Sequence, residues 1–261
     1  MKYRLKDIYD LCDYVSPFDT QESWDKSGLN LGSFDDAFKE IVVCLEINLD
    51  IAQKLKPDTL VLTHHPLFFK AFSAFYTHKY PANIAKVLLG KNCSLISLHT
   101  NFDKSHLNAY LTHQVLRWEH FVPNGLFMCG SIEAMTLEEL AHYVCAALNA
   151  RSVNFTQGDI SSTGEKSIKD IYVLCGSGCS MLDSIPSSPT TCFITSDVKH
   201  HDAMSAKSMG ISLIDMGHYE SEKYFVEIID SILKNAGYKC IIADCENPFS
   251  LCLNKRKDIL K

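Results

Sequence analysis

No stretch of this 261-residue chain reaches the ~18 consecutive apolar residues that a membrane-spanning helix requires. Its first segment, MKYRLKDIYDLCDYV, is charged and amphipathic and lacks the long apolar run of a secretion leader. These absences predict a soluble protein of the cytoplasm. Positive charge is scarce as well: 25 Lys and Arg against 31 Asp and Glu leave a formal net charge of −6. The densest basic stretch, LNKRKDILK, is C-terminal and reads as a solvated tail. No nucleic-acid footprint is expected, because neutralising phosphates needs clustered basic residues. The 11 cysteines contain no C-x-x-C pair, which argues against zinc ribbons and thioredoxin-type sites. Several lie in apolar runs such as IVVCLEI (41–47), where a thiol packs as a small hydrophobe, and their odd, dispersed number fits a reducing compartment. A P-loop, a Gly-rich phosphate cradle, internal repeats and low-complexity tracts are all missing.

What remains is an ordinary globular composition, 46% hydrophobic and 21% charged, long enough for two compact units. Leu5, Ile8, Leu11, Cys12 and Val15 mark one face of an N-terminal helix. Strands are predicted at 41–47, 59–64 (TLVLTH) and 94–100 (SLISLHT), alternating with helices LDIAQKLK, ANIAKVLLGKN and LNAYLTHQVLRW. Alternation of that length means βαβ units and a mostly parallel sheet. A second α/β series follows VPNGLFMCG: a helix opened by Thr136 with Glu139 as a capping box, then strands DIYVLCG, TCFITS and ISLIDMG. A helix HHDAMSAKSMG lies between the last two, and a final long helix stops at Gly237. The expected architecture is therefore two α/β domains with mostly parallel or mixed sheets. Residues 1–125 and 215–261 would form one discontinuous domain, and 126–214 the other.

The chemistry-bearing residues fall at strand ends. THHPLFF (63–69) sets His64 and His65 side by side, and HTNFD (99–103) carries His99 and Asp103. Ligands of open parallel sheets bind beyond the carboxyl ends of the strands, so both motifs belong in one cleft. Neighbouring side chains on a regular strand face opposite ways, so two imidazoles sharing a cavity require the backbone to leave strand geometry, which Pro66 assists. GHYESEK (217–223) opens the last helix, with His218 and Glu222 one turn apart on one face. Alone that is an ordinary i,i+4 polar pair. Taken together, two adjacent histidines, an aspartate, a further histidine and a glutamate are too many for one open zinc site and suit two metals sharing a carboxylate. Mixed imidazole and carboxylate donors accept zinc, iron, manganese or nickel without choosing among them.

In order, SWDKSGLNLG, THHPLFF, HTNFD and GHYESEK resemble the four signature blocks of the GTP cyclohydrolase 1 type 2 homolog family of Nif-three-like proteins, over about residues 3 to 235. The resemblance implies a two-domain α/β fold, two divalent metal ions per subunit in the cleft at the strand ends, and a toroidal homohexamer. It also implies that His64 and His65 divide between the metals, that Asp103 holds one and His218 the other, and that Glu222 bridges. Trp24 and Asp25 match a Trp-Asp block, and Trp24 reads as a core anchor for its loop. Two departures stand out: Ser196 and Asp197 replace a Gly-Glu pair, and an aspartate usual near Glu46 to Asn48 is absent.

A hydrolase of GTP or a related nucleotide follows from the resemblance, with His99 or His201 as the catalytic acid. A metal-dependent phosphoesterase or pyrophosphohydrolase is the close rival, and a non-catalytic metal-binding ring is the alternative of another class.

Overall fold

The computed structural model describes residues 3–71, 73–159, 167–243 and 245–252. Thirteen strands run in chain order as β1 (Tyr3–Arg4), β2 (Gly28–Leu31), β3 (Ala37–Phe38), β4 (Glu40–Cys44), β5 (Thr59–Thr63), β6 (Ser94–Ser97), β7 (Val122–Asn124), β8 (Phe127–Thr136), β9 (Asn154–Thr156), β10 (Ser167–Val173), β11 (Thr191–Thr195), β12 (Ser212–Asp215) and β13 (Cys240–Ile242). β1 and β3 pair with each other, and the rest make two mixed sheets, ordered β13-β4-β5-β6-β2 and β7-β8-β10-β11-β12-β9. The centre of each is parallel. Antiparallel strands flank the parallel core, β2 in the first sheet and β7, β8 and β9 in the second.

The parallel strands read as near-continuous apolar runs because both faces are covered. All five residues of β5 and of β11 are buried. Register then levels the strand ends. Cys44 pairs with Thr63 and Thr63 with Ser97, so β4, β5 and β6 finish together. Thr195 pairs with Asp215, which levels β11 with β12.

Helices cover the sheets much as periodicity predicts, at Leu5–Val15, Leu49–Lys54, Ala82–Gly90, Leu137–Ala147, His200–Ser208 and Phe225–Asn235. Thr136 and Glu139 form the anticipated capping box. One apolar cluster joins Leu60, Leu62 and Ile96 of the first sheet to Ile171 and Ile194 of the second, through Phe102, Leu111 and Phe225. Fully burying a side chain of that size contributes ~1.5–3 kcal/mol, so this shared core holds the two sheets' ends in place. The buried cysteines Cys12, Cys44, Cys93, Cys175 and Cys192 sit as small apolar residues, and no described cysteine is in a disulfide.

Three expectations change. The longest strand, β8, lies where only a connection is expected, because its partly exposed antiparallel pattern resembles a linker. Residues 28–31 form an edge strand rather than a turn segment. The last long helix is broken into His218–Glu222 and Phe225–Asn235. The Gly/Ser-rich stretch 158–167 falls largely outside the described residues. Among the described residues, no helix is long and apolar enough to cross a membrane.

Candidate metal centre

The His-His pair solves its geometric problem with a bulge. β5 ends at Thr63, and the amides of His64 and His65 both donate to one carbonyl, Leu45 O, at 3.0 and 3.2 Å. Two residues against one partner break the alternation, so both rings turn to the same side. Thr63 Oγ1 donates to His65 O at 2.8 Å and pins the corner.

Asp103 reaches the same place by a different route. Residues 100–115 are helical, so Asp103 sits one turn after His99 on a helix instead of at a strand end. It opens a π-helical turn, Asp103–Leu107, a local widening frequent at functional sites. His218 and Glu222 come from a short helix entered through Gly217, whose φ of 83° favours glycine.

These residues converge. Glu222 Oε2 lies 2.9 Å from both His65 Nε2 and His218 Nε2, and those two nitrogens are 3.1 Å apart. On the other side, His64 Nε2 lies 3.4 Å from Asp103 Oδ1 and 3.7 Å from Glu222 Oε1. Two donor triads result, His65–His218–Glu222 and His64–Asp103–Glu222, each with its ligand atoms within 4.8 Å of one another. Glu222 belongs to both. His99 joins His64 and His65 in a third such group.

The outer ring nitrogens explain which way the lone pairs point. His64 Nδ1 donates to Leu98 O, His99 Nδ1 to Asp25 Oδ1 and His218 Nδ1 to Asp197 Oδ2, each at 2.8 Å. Glu46 Oε2 stands 3.6 Å behind His65 Nδ1. A ring whose Nδ1 carries the proton presents a bare Nε2, the arrangement that metal-ligating histidines share. His64 Nε2 and Asp103 Oδ1 are buried without a hydrogen-bond partner, which is costly unless a cation meets them. The donor set therefore fits divalent metal ions.

Proton affinities tell the same story. Burial and then the Glu222 charge push the Asp103 carboxyl up to about 8. Burial would lower His65, but Glu222 and Glu46 lift it to about 10, and Glu222 and Asp197 lift His218 to about 9 against burial. Burial would raise Glu222, yet His65 and His64 hold it far below the usual carboxylate range. So much concentrated negative charge takes up protons, and metal ions compete for the same atoms.

The second sheet supplies the opposite wall. Gly176 follows β10 with φ 63°, and a Cβ there would lie 2.3 Å from Glu222 Oε1. Only glycine combines that dihedral with that approach. The residue escapes a reading of side-chain chemistry; its signal is a glycine just past the end of an apolar strand. Gly176 N donates to Ser221 Oγ at 3.1 Å, which ties the loop to the Glu222 helix. Asp25 is the other residue underweighted by sequence. Its buried carboxylate accepts from His99, from the Thr100 amide at 3.0 Å and from the Lys26 amide at 2.7 Å. Burial opposes ionisation, but the His99 and Thr100 bonds hold Asp25 well below the usual carboxylate range.

Two expectations are revised. His201 is exposed on the helix His200–Ser208, its Nε2 3.3 Å from Asp202, and it is not among the residues lining the cleft. Trp24 is 58% exposed on the cleft rim, so it does not anchor a core. Both departures from the family pattern lie at the cluster: Glu46 and Asp197 are the carboxylates behind His65 and His218.

Fold and donor set together define a mixed α/β protein whose His, Asp and Glu groups can hold metal ions in a cleft between two sheets. Residues 3–248 match the model of Duf34/NIF3 (NGG1p interacting factor 3), and the chain belongs to that family. It is 41% identical over 247 residues to "GTP cyclohydrolase 1 type 2" of Helicobacter pylori, covering 95% of this chain and 98% of that protein. It is 38% identical over 246 residues to "GTP cyclohydrolase 1 type 2 homolog" of Campylobacter jejuni, covering 94% and 98%. A Staphylococcus aureus hypothetical protein of known structure superposes with a TM-score of 0.80 at 24% identity, covering 95% of this chain and 99% of that one. A Bacillus cereus protein related to NIF3 gives a TM-score of 0.77 at 14% identity, covering 96% and 99%. These likenesses support the α/β fold.

Proposed function

We propose that the protein is a dinuclear metal-dependent hydrolase acting on GTP or a related nucleotide. The observation that carries the reading is Glu222, one buried carboxylate whose two oxygens face different triads, Oε1 toward His64 and Oε2 toward His65 and His218. That division supports His64 and Asp103 on one ion, His65 and His218 on the other, and Glu222 between them. Divalent cations held by these residues would supply Lewis acidity, the chemistry that makes water nucleophilic near neutral pH.

The chain's own residues do the remaining work. The carbonyl of Leu98 and the carboxylates of Asp25 and Asp197 fix the rings of His64, His99 and His218, so no reorganisation is needed at the moment of reaction. With its Nδ1 proton on Asp25, His99 has Nε2 free to give or take a proton, the pattern of an oriented general acid–base. His99 lines the cleft beside Asp103 and Glu222. The names of the Helicobacter pylori and Campylobacter jejuni relatives support a GTP cyclohydrolase reaction, in which water opens the purine ring and formate leaves.

The charge of the cleft supports the phosphoester-cleaving rival. Among its described lining residues Arg151 is the single Lys or Arg, against Glu22, Glu46, Asp197, Asp215, Glu220 and Glu246 besides the donors Asp103 and Glu222. A phosphate entering there finds its strongest positive partner at the metals. Protein purified without added metal, analysed by mass spectrometry and then assayed with GTP and a panel of phosphate esters, separates the readings. We expect about two ions per chain, and turnover that disappears in His65→Ala. Tight metal with no turnover of any substrate returns the chain to a non-catalytic metal-binding ring, and a metal-free native protein ends the proposal. The toroidal hexamer belongs to the same reading, checked by the mass of the assembly in solution.

A further inference from the structure

The cleft that holds the donor cluster is large, about 1270 Å³, more than the centre alone occupies. Of the exposed aromatic side chains on its wall, two flank His99: Trp24 is 58% and Phe69 44% exposed. Solvated rings of this size are normally covered by protein or by a ligand. Neither is an isolated surface residue, since both touch the ring of His99. Trp24 lies 5.9 Å from it at 74°, and Phe69 lies 5.4 Å from it at 83°. His99 in turn stands 5.1 Å from His64 and 5.7 Å from His65. An aromatic path thus runs from the cleft rim to the candidate metal centre.

Sequence and packing both explain why these rings stay outside. Trp24 precedes Asp25, whose carboxylate is buried against Thr100 and Ser27, so the backbone is anchored by the aspartate while the indole remains free. Phe69 lies two residues after Leu67, which is buried in the apolar cluster beneath β5 and whose amide donates to Asn30 Oδ1 at 2.9 Å. Each aromatic is held at its base by a buried neighbour and is exposed at its tip. That is how a pre-formed recognition surface is built, with little conformational freedom left to lose on binding.

The occupant follows from the chemistry of the walls. Exposed aromatic rings next to a candidate metal centre suit a ligand that is planar at one end and anionic at the other. We infer that Trp24 and Phe69 form a stacking subsite for the base of a purine nucleotide, aligning the ligand beside His99. The inference rests on the nucleotide reading of the cleft and adds the residues that recognise the base. Stacking of a base on an aromatic side chain tolerates any base but requires a π-face, so a sugar phosphate lacking one gains nothing from it.

Intrinsic fluorescence tests the subsite directly, because Trp118, the other tryptophan, is 8% exposed and packed between Phe121 and Tyr143 at 5.0 and 5.6 Å. Adding guanosine monophosphate to the protein as purified should quench Trp24 saturably, while ribose 5-phosphate at the same concentration should not. Calorimetry should show roughly tenfold weaker nucleotide binding in Trp24→Leu and in Phe69→Ala. Both side chains are exposed, so unchanged circular dichroism will show that these variants keep the fold. Equal quenching by ribose 5-phosphate, or unchanged nucleotide affinity in both variants, overturns the subsite. Quenching reports occupancy whether or not turnover follows. Saturable, base-dependent quenching in a protein that turns over no substrate therefore keeps the subsite and removes the hydrolase, whereas turnover without quenching does the reverse.

Discussion

His64, Asp103 and Glu222 are all buried, the His64 ring completely, whereas His65 and His218 keep 17% and 33% of their side-chain surface open to the cleft. The inner triad is closed by the body of the protein: Phe225 lies 5.2 Å from the His64 ring and packs in turn on Phe102. His65 and His218 of the outer triad line the open cleft. Closed donor sets hold structural metals, and sets with an open position do chemistry. Glu222 thus belongs to two donor triads of different accessibility, and under the proposed dinuclear reading the buried triad would anchor one ion while the open one would leave the other accessible to a ligand.

Removing the shared residue attacks both halves. Glu222→Gln should drop the metal content from about two ions per chain to near zero by mass spectrometry. Loss of only one ion would break the description of Glu222 as common to both triads. Next in size, Asp103→Asn and His218→Ala should each leave about one ion, from the inner and the outer triad respectively. In the unaltered protein a chelator should strip the ions in two phases, the fast one matching the ion missing from His218→Ala. A single phase would erase the difference between the halves.

Gly176→Ala sharpens the same contrast from the other wall. The added methyl meets Glu222 Oε1 and the φ of 63° is strained for alanine, so stability should fall by ~1–3 kcal/mol in denaturant titration. Full stability and full metal content would mean that the loop yields. Smaller again are the carboxylates behind the rings. Asp197→Asn, which alters a 2.8 Å bond, should weaken outer-site affinity by about 10- to 100-fold in competition with a chromophoric chelator. Glu46→Gln should cost less, because Glu46 stands 3.6 Å from His65. The smallest effect belongs to His201→Ala: its ring is in solvent, so turnover and metal content should stay as in the parent.

The gap between His201 and Asp197 shows what a linear reading detects. Four motif blocks with unusual composition led to His64, His65, Asp103, His218 and Glu222, because imidazole and carboxylate types announce metal chemistry wherever they occur. His201 enters a linear reading for the same reason, by residue type and by its place in the motif order. Whether it points into the cleft depends on the rotation of its helix, which a helix of low amphipathicity leaves undetermined. Asp197 and Glu46 read as departures because the pattern is one of identities, while in space each places a carboxylate oxygen behind a ring, His218 and His65. Trp24 suffered the converse error: large apolar residues are usually buried, so exposure had to be seen.

From the sequence alone came the alternation of apolar strands and amphipathic helices, the capping box at Thr136, the break in strand geometry demanded by adjacent histidines, and the inventory of donor atoms. These are local properties, fixed by periodicity, side-chain stereochemistry and residue type within a few positions. Only the tertiary structure decided that Glu222 stands between His64 and His65, that Gly176 makes room for it, and that Trp24 and Phe69 remain open to solvent. Those facts depend on register between neighbouring strands and on how two sheets share one core, and both are set by contacts between residues far apart in the chain, such as Gly176 with Glu222 and, 153 positions apart, His65 with His218.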